Sequence, residues 1–270
     1  MLSPVSGFLL DAGFTHSLTP ARNCTFGCTY CYVPTMRVQA GLKKEDWEQW
    51  GDYTVLKKNA PELLAKELRE DQIIYCSPLV DPYQPAEMSS EMMPRILEQV
   101  YIRPPKTFVV QTRSKYILRD LHLLQAVAEH TDLRISFSIT TDDDRVRRQF
   151  EARCDTIESR VETVQALREA GLNVFVTLAP LLPFTPAALA ELVAPLTANP
   201  FLGDPLHIRA SKPRGATTRE VAIEVLRKFD AMEWVEPEFQ ARAVEELKRE
   251  LEARGRKFAV GAEAFRWLTI

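Results

Sequence analysis

The sequence predicts an α/β protein in which parallel strands alternate with helices. Six short runs, at 13–20, 72–77, 107–112, 134–140, 173–180 and 205–211, are rich in aliphatic, β-branched and aromatic residues. That composition suits strands buried on both faces. Between the runs, apolar residues recur at the three- and four-residue spacing of a helix face. Size is the third observation. A chain of 270 residues suffices for one large barrel or two ordinary domains. No low-complexity linker divides it, so 1–270 is expected to be a single domain.

In chain order the strand runs read GFTHSLTP, QIIYCS, TFVVQT, RISFSIT, NVFVTLAP and PLHIRAS. One helix is marked by Leu118, Leu121, Leu124 and Ala128, the next by Ile157, Val161, Val164 and Leu167, which Gly171 closes. Leu189, Leu192, Val193 and Leu196 mark another. Thr185 before Pro186 has the pattern of a cap followed by a first-turn proline, and Thr217 with Glu220 has capping-box spacing. Phe239, Ala243, Val244, Leu247 and Leu251 share one face of a terminal helix over 237–254. The extension 237–270 is expected to pack on the core, and its final KFAVGAEAFRW is ambiguous. Strand–helix repetition implies right-handed crossovers between parallel strands. An open doubly wound sheet and a barrel both satisfy it, and in either one ligands bind at the carboxyl ends of the strands.

The formal net charge of −3 gives no global attraction to nucleic acid, whose binding relies on neutralising phosphates. A local basic patch stays open. No stretch of about 18 uncharged apolar residues reads as a membrane span. The opening MLSPVSGFLLDAGF lacks a basic leader and is interrupted by Asp11, so a cytoplasmic protein without a membrane partner is expected. The five cysteines cluster rather than pair along the chain, which argues against a disulfide framework.

Three of those cysteines, Cys24, Cys28 and Cys31, fall within RNCTFGCTYCYVP at 22–34. Gly27 lets such a loop wrap a compact object. Three converging thiolates favour zinc or an iron–sulfur cluster. Structural zinc needs a fourth ligand, and the candidates, His16 and Cys76, have no zinc-finger spacing. A four-iron cubane held by three cysteines instead leaves one iron open to a substrate or cofactor.

CxxxCxxC with Tyr30 before the last cysteine resembles the signature of the radical S-adenosylmethionine superfamily. TPARNCTFGCTYCYVP, DPYQPAE at 81–87, QTRSKYILRD at 111–120 and FSITT at 137–141 are similar to its spore photoproduct lyase-like, or DNA repair photolyase-like, group from about residue 13 to 184. Two departures are EARC at 151–154, where the group usually shows Glu-Pro-Arg, and Arg113, where it often has lysine. The resemblance implies a partial (β/α)6 TIM-like barrel with a C-terminal helical extension. It also implies a 4Fe–4S cluster on Cys24, Cys28 and Cys31, with S-adenosylmethionine on the open iron. Reductive cleavage would give a 5′-deoxyadenosyl radical that abstracts hydrogen, so an electron donor such as flavodoxin or ferredoxin is expected.

The same resemblance assigns roles by position. The Tyr30 backbone would meet the adenine, and Ser77 the amino end of the cofactor, with Asp81 assisting or orienting the loop. Arg113 would pair with the carboxylate, and Ser138 would touch the cofactor. Cys76 occupies a position similar to that of a hydrogen-donating cysteine, and Tyr32 would relay a radical or cover the cluster. Cys154 receives no role, and DRVRRQFEAR at 144–153 reads as an exposed helix face. HIRASKPRGATTR at 207–219 carries His207, Arg209, Lys212, Arg214 and Arg219, a solvated basic loop or a grip for a phosphate-bearing substrate. The substrate, a small molecule or a nucleic acid, is unassigned. Alternatives are a DNA photoproduct (thymine dimer) lyase and, in another class, a structural metal-binding module associated with nucleic acid.

Overall fold

Hydrogen bonding gathers the apolar runs into one eight-stranded sheet. The computed structural model describes residues 1–270 apart from the side chains of Val38 and Gln39. The strands are β1 (Leu2–Pro4), β2 (His16–Leu18), β3 (Ala21–Arg22), β4 (Val55–Leu56), β5 (Ile73–Cys76), β6 (Thr107–Thr112), β7 (Asp132–Ser138), β8 (Asn173–Leu178), β9 (Phe201–Gly203) and β10 (Phe258–Val260). The sheet runs β1-β2-β5-β6-β7-β8-β9-β10, and β3 with β4 forms a separate two-stranded ribbon. Only β1 is antiparallel to its neighbour in the large sheet; every pair from β2 to β10 is parallel. This is the α/β, TIM-like arrangement of partial-barrel type that the sequence implied.

Period-two alternation gives the sheet two unlike faces. Leu18, Ile74, Cys76, Phe108, Val110, Ile135, Phe137, Val174 and Val176 turn outward, and meet Leu64, Ile96, Leu124, Val164 and Leu189 from the crossover helices. Each fully buried side chain of this size stabilises by about 1.5–3 kcal/mol relative to exposure. On the inner face, Phe14, Tyr75, Val109, Phe175 and Leu202 pack with Ala264, Phe265 and Leu268. Above them the inner face turns polar. The Tyr75 hydroxyl and Ser136 Oγ both donate to Gln111 Oε1 at 2.6 Å, and Gln111 Nε2 donates to Ser138 Oγ at 2.6 Å.

Three expectations change. The sixth parallel strand is Phe201–Gly203, not 205–211. Pro205 has no N–H to give a ladder, and His207 and Arg209 instead donate backbone N–H groups to Thr217 Oγ1 (2.6 Å) and Thr218 Oγ1 (3.0 Å). Thr217 is thereby spent closing this loop and caps nothing; the helix Glu220–Lys228 starts after Arg219. The extension contains the expected helix, Pro237–Ala253, but the ambiguous tail adds β10 as an edge strand. Thr185 has the extended backbone of a cap ahead of Pro186, without a side-chain bond.

Candidate active site

The cysteine loop starts at the end of β3, on the carboxyl side of the sheet, and the chain itself fixes its shape. Asn23, fully buried with φ of 61°, accepts from the Cys24 N–H (2.8 Å) and the Gly51 N–H (2.9 Å) on Oδ1, and donates to the Gln49 carbonyl (3.0 Å). Gln84 Oε1 accepts from the Thr25 N–H at 2.8 Å. The Thr29 N–H donates to the Phe150 carbonyl at 2.9 Å, and Arg153 reaches the Gly51 carbonyl. Gly27 and Gly51 lie back to back, both at positive φ. A Cβ on Gly51 would stand 2.8 Å from the Gly27 Cα, a distance no side chain tolerates.

The three thiols share this loop. The Cys31 N–H donates to the Cys28 carbonyl, and the Gly27 N–H to the Cys24 carbonyl, both at 3.0 Å. Burial pushes the Cys31 thiol up to about 12 and raises that of Cys24, with the charges of Cys28 and Asp81, respectively, adding to it. Cys28 moves the other way, chiefly because the Cys154 thiol hydrogen-bonds to it.

Around the loop stand the other expected residues. Asp81 accepts from the Tyr83 N–H (2.9 Å), Thr112 Oγ1 (2.7 Å) and the Arg113 N–H (3.0 Å), so it orients the end of β6. Ser77 is buried, and its hydroxyl has no hydrogen-bond partner among the described residues. Ser138 is held by Gln111, and the Tyr32 hydroxyl donates to the Pro78 carbonyl at 2.5 Å, spanning from the cysteine loop to the loop after β5. Cys76 ends β5, but its side chain lies in the helix-facing layer with Leu18 and Val110, its register partners. Its neighbour Tyr75 is the one that faces the interior.

Sequence reasoning missed the centre of the site. Glu151, fully buried, receives Tyr30, Arg113 and Arg160 in short contacts and Thr140 Oγ1 at 3.1 Å. Despite burial, the guanidinium groups of Arg160 and Arg113 hold its carboxyl down at about 2. Arg160 is also fully buried, with Nη1 unpartnered among the described residues. The 144–153 segment is therefore exposed on one side only, through Arg145, Arg148, Gln149, Ala152 and Arg153. Its helix Asp144–Phe150 buries Val146, Arg147 and Phe150 and delivers Glu151 and Cys154 to the cysteine loop. Glu and Arg of the group's Glu-Pro-Arg pattern, kept here as Glu151 and Arg153, were the available signal.

The family model described as Radical SAM superfamily matches residues 18–194, which hold all of these groups. The chain belongs to the radical SAM superfamily. Its relatives include uncharacterized proteins of Methanocaldococcus jannaschii (24% identical over 160 residues, 59% of this chain and 58% of the relative) and of Mycobacterium tuberculosis (27% over 175 residues, 63% and 50%). A protein of Acidianus two-tailed virus is 28% identical over 173 residues, 62% and 56% of the two chains. The chain thus spans about half to three-fifths of the length of these curated relatives. A spore photoproduct lyase variant solved with a dinucleoside spore photoproduct has the same fold, with a TM-score of 0.62 at 14% identity, over 96% of this chain and 78% of that one. Another, with bound AdoMet as well, gives 0.61 at 14% identity and the same coverage. Membership of the superfamily implies a 4Fe–4S cluster and S-adenosylmethionine as cofactors. No helix is long and apolar enough to cross a membrane.

The residues present fit that pair. Three thiols lie on one loop, and an orphaned buried hydroxyl, Ser77, sits at the end of β5. Among the described residues, no three Cys, His, Asp or Glu side chains converge as a single metal ion requires. Ligands of one zinc each lie about 2.3 Å from it, whereas cubane ligands sit on different irons and stand apart.

Proposed function

We propose that the chain is a radical S-adenosylmethionine enzyme in which Cys24, Cys28 and Cys31 hold three irons of a 4Fe–4S cluster and leave the fourth to the cofactor. When bound and reduced, the pair supplies a 5′-deoxyadenosyl radical for hydrogen abstraction. The observation that carries this reading is the preshaped cysteine loop at the carboxyl end of a parallel sheet. Arg113 suits the cofactor carboxylate, since a guanidinium binds a carboxylate through two parallel N–H bonds. Ser77 offers an uncommitted hydroxyl to the amino end. The Tyr30 backbone is assigned to the adenine, and Ser138, steadied by Gln111, to the cofactor's flank. Glu151 holds the Tyr30 and Arg113 side chains in register, which limits what binding must order. Tyr32 covers the cluster side through its bond to Pro78.

The substrate is an anionic molecule on this reading. The loop 207–219 docks beside the cysteine loop, where the Gly215 N–H donates to Thr35 Oγ1 at 2.9 Å. Among the described residues, Arg209, Lys212, Arg214 and Arg219 form no ion pair. Similar folds hold a dinucleoside spore photoproduct, so a thymine-dimer photoproduct is the first candidate to try. A low-potential donor such as flavodoxin or ferredoxin would supply the electron.

The test is anaerobic reconstitution followed by dithionite and S-adenosylmethionine. About four iron and four sulfide per chain, and 5′-deoxyadenosine in the products, are expected. Zinc alone, or no deoxyadenosine from an intact cluster, would sink the reading. Deuterium from labelled substrates would then identify the position attacked, with photoproduct-containing DNA as one arm.

A further inference from the structure

Cys154 and Cys76 are the cysteines that the proposed chemistry does not use, and of the two Cys154 lies against the thiol of Cys28. Its Sγ is 3.7 Å from the Cys28 Sγ, although the two residues are 126 positions apart, and both are buried. The backbone fixes this approach. The Cys154 N–H closes a turn onto the Glu151 carbonyl at 2.9 Å. Arg147 Nη1 donates to the Cys154 carbonyl at 3.1 Å and to the Glu151 carbonyl at 3.3 Å. On the other side, Thr29, next to Cys28, donates its N–H to the Phe150 carbonyl. The turn 150–154 is therefore pinned to the cysteine loop from both directions.

A thiol in this place could be a fourth ligand or a donor to a ligand. Ligands on different irons of a cubane diverge from one another, so a thiol serving the open iron would stand away from Cys28. Cys154 abuts Cys28 instead, at the range of a sulfur hydrogen bond.

We propose that Cys154 donates its S–H to the Cys28 sulfur and so raises the reduction potential of the cluster. This rests on the cluster reading above. Hydrogen bonds to cluster sulfurs are one of the levers on iron–sulfur potentials. Reduction adds negative charge, part of which sits on the ligand sulfurs. A donor there stabilises the reduced form more than the oxidised form, which eases delivery of the electron that starts the reaction. Cys154 is a positioning residue for charge and touches neither cofactor nor substrate in this role.

The experiment compares reconstituted wild type, Cys154→Ala and Cys154→Ser. Iron and sulfide are counted first, and the cluster is then titrated with a reductant while its paramagnetic signal is followed. All three should load fully. At the potential where half the wild-type cluster is reduced, less than half of the alanine variant should be, with the serine variant between them because its hydroxyl still donates. If the alanine variant alone fails to load, the serine variant decides: its midpoint must fall below that of wild type. A fully loaded alanine variant with an unshifted midpoint overturns the proposal. So does loss of iron from both variants, which would make Cys154 a ligand. Wild type that takes up no iron overturns the proposed function along with it, whereas an unshifted potential in loaded protein overturns this proposal alone.

Discussion

The two faces of the sheet are built on opposite terms. The outer face is a continuous apolar layer, from Leu18 through Ile135 to Val176. The inner face and its carboxyl rim are specific. A chain of hydroxyl and amide groups runs from Tyr75 to Ser138, and a single carboxylate, Glu151, stands between two guanidinium groups. Burial alone therefore does not distinguish structure from function here, since Phe137 and Glu151 are equally inaccessible. What distinguishes them is whether a buried group is satisfied by shape or by a partner.

Substitutions on each face separate the two kinds of burial. Phe137→Ala should cost about 3–5 kcal/mol, the usual loss for truncating a core phenylalanine, read from urea unfolding, with cofactor affinity per folded molecule unchanged. A cost below about 1 kcal/mol would mean the outer layer is not the main support. Glu151→Gln should cost about 3 kcal/mol, because it leaves two buried guanidinium groups without their charge partner; it should also weaken S-adenosylmethionine binding in equilibrium dialysis.

The acid limb has a defined sign. The Glu151 carboxyl lies at about 2 against an ordinary 4.5, so its contribution is present above about 4.5 and is lost as pH falls towards 2. Wild type and Glu151→Gln should therefore converge in stability on acidification; a gap that stays constant to pH 3 would refute the ion-pair account. Cys76→Ala should have the smallest effect, about 1 kcal/mol. Because the thiol faces the helices, product identity should not change. Altered products from this variant would restore the hydrogen-donor role expected from its position in sequence.

How much was legible follows the same division. Strands β5 to β8 were readable because two-sided burial writes itself as an unbroken apolar run, and the cysteine loop because its three thiols are neighbours in sequence. The strand β9 escaped because Phe201–Gly203 is three residues long between Pro200 and Pro205. The richer run just beyond it drew the assignment. Glu151 and Cys154 escaped for a deeper reason. In a mixed-charge segment, a carboxylate buried against Arg113 and Arg160 has the same local signature as one facing water. The partners that decide between the two lie on other elements. Cys76 was placed at the right strand end, but a run apolar on both faces carries no alternation to say which side its thiol takes.

The back-to-back contact of Gly27 with Gly51 bears on the order of assembly. A loop clamped by Gln49, Gly51 and Gln84 is held in its curve by polypeptide contacts. Loading would then be an insertion into a finished mould, and loss of iron in air would leave that mould standing, ready to be filled again. The two glycines would also be inherited as a pair, because a side chain on either one forces its counterpart's backbone aside.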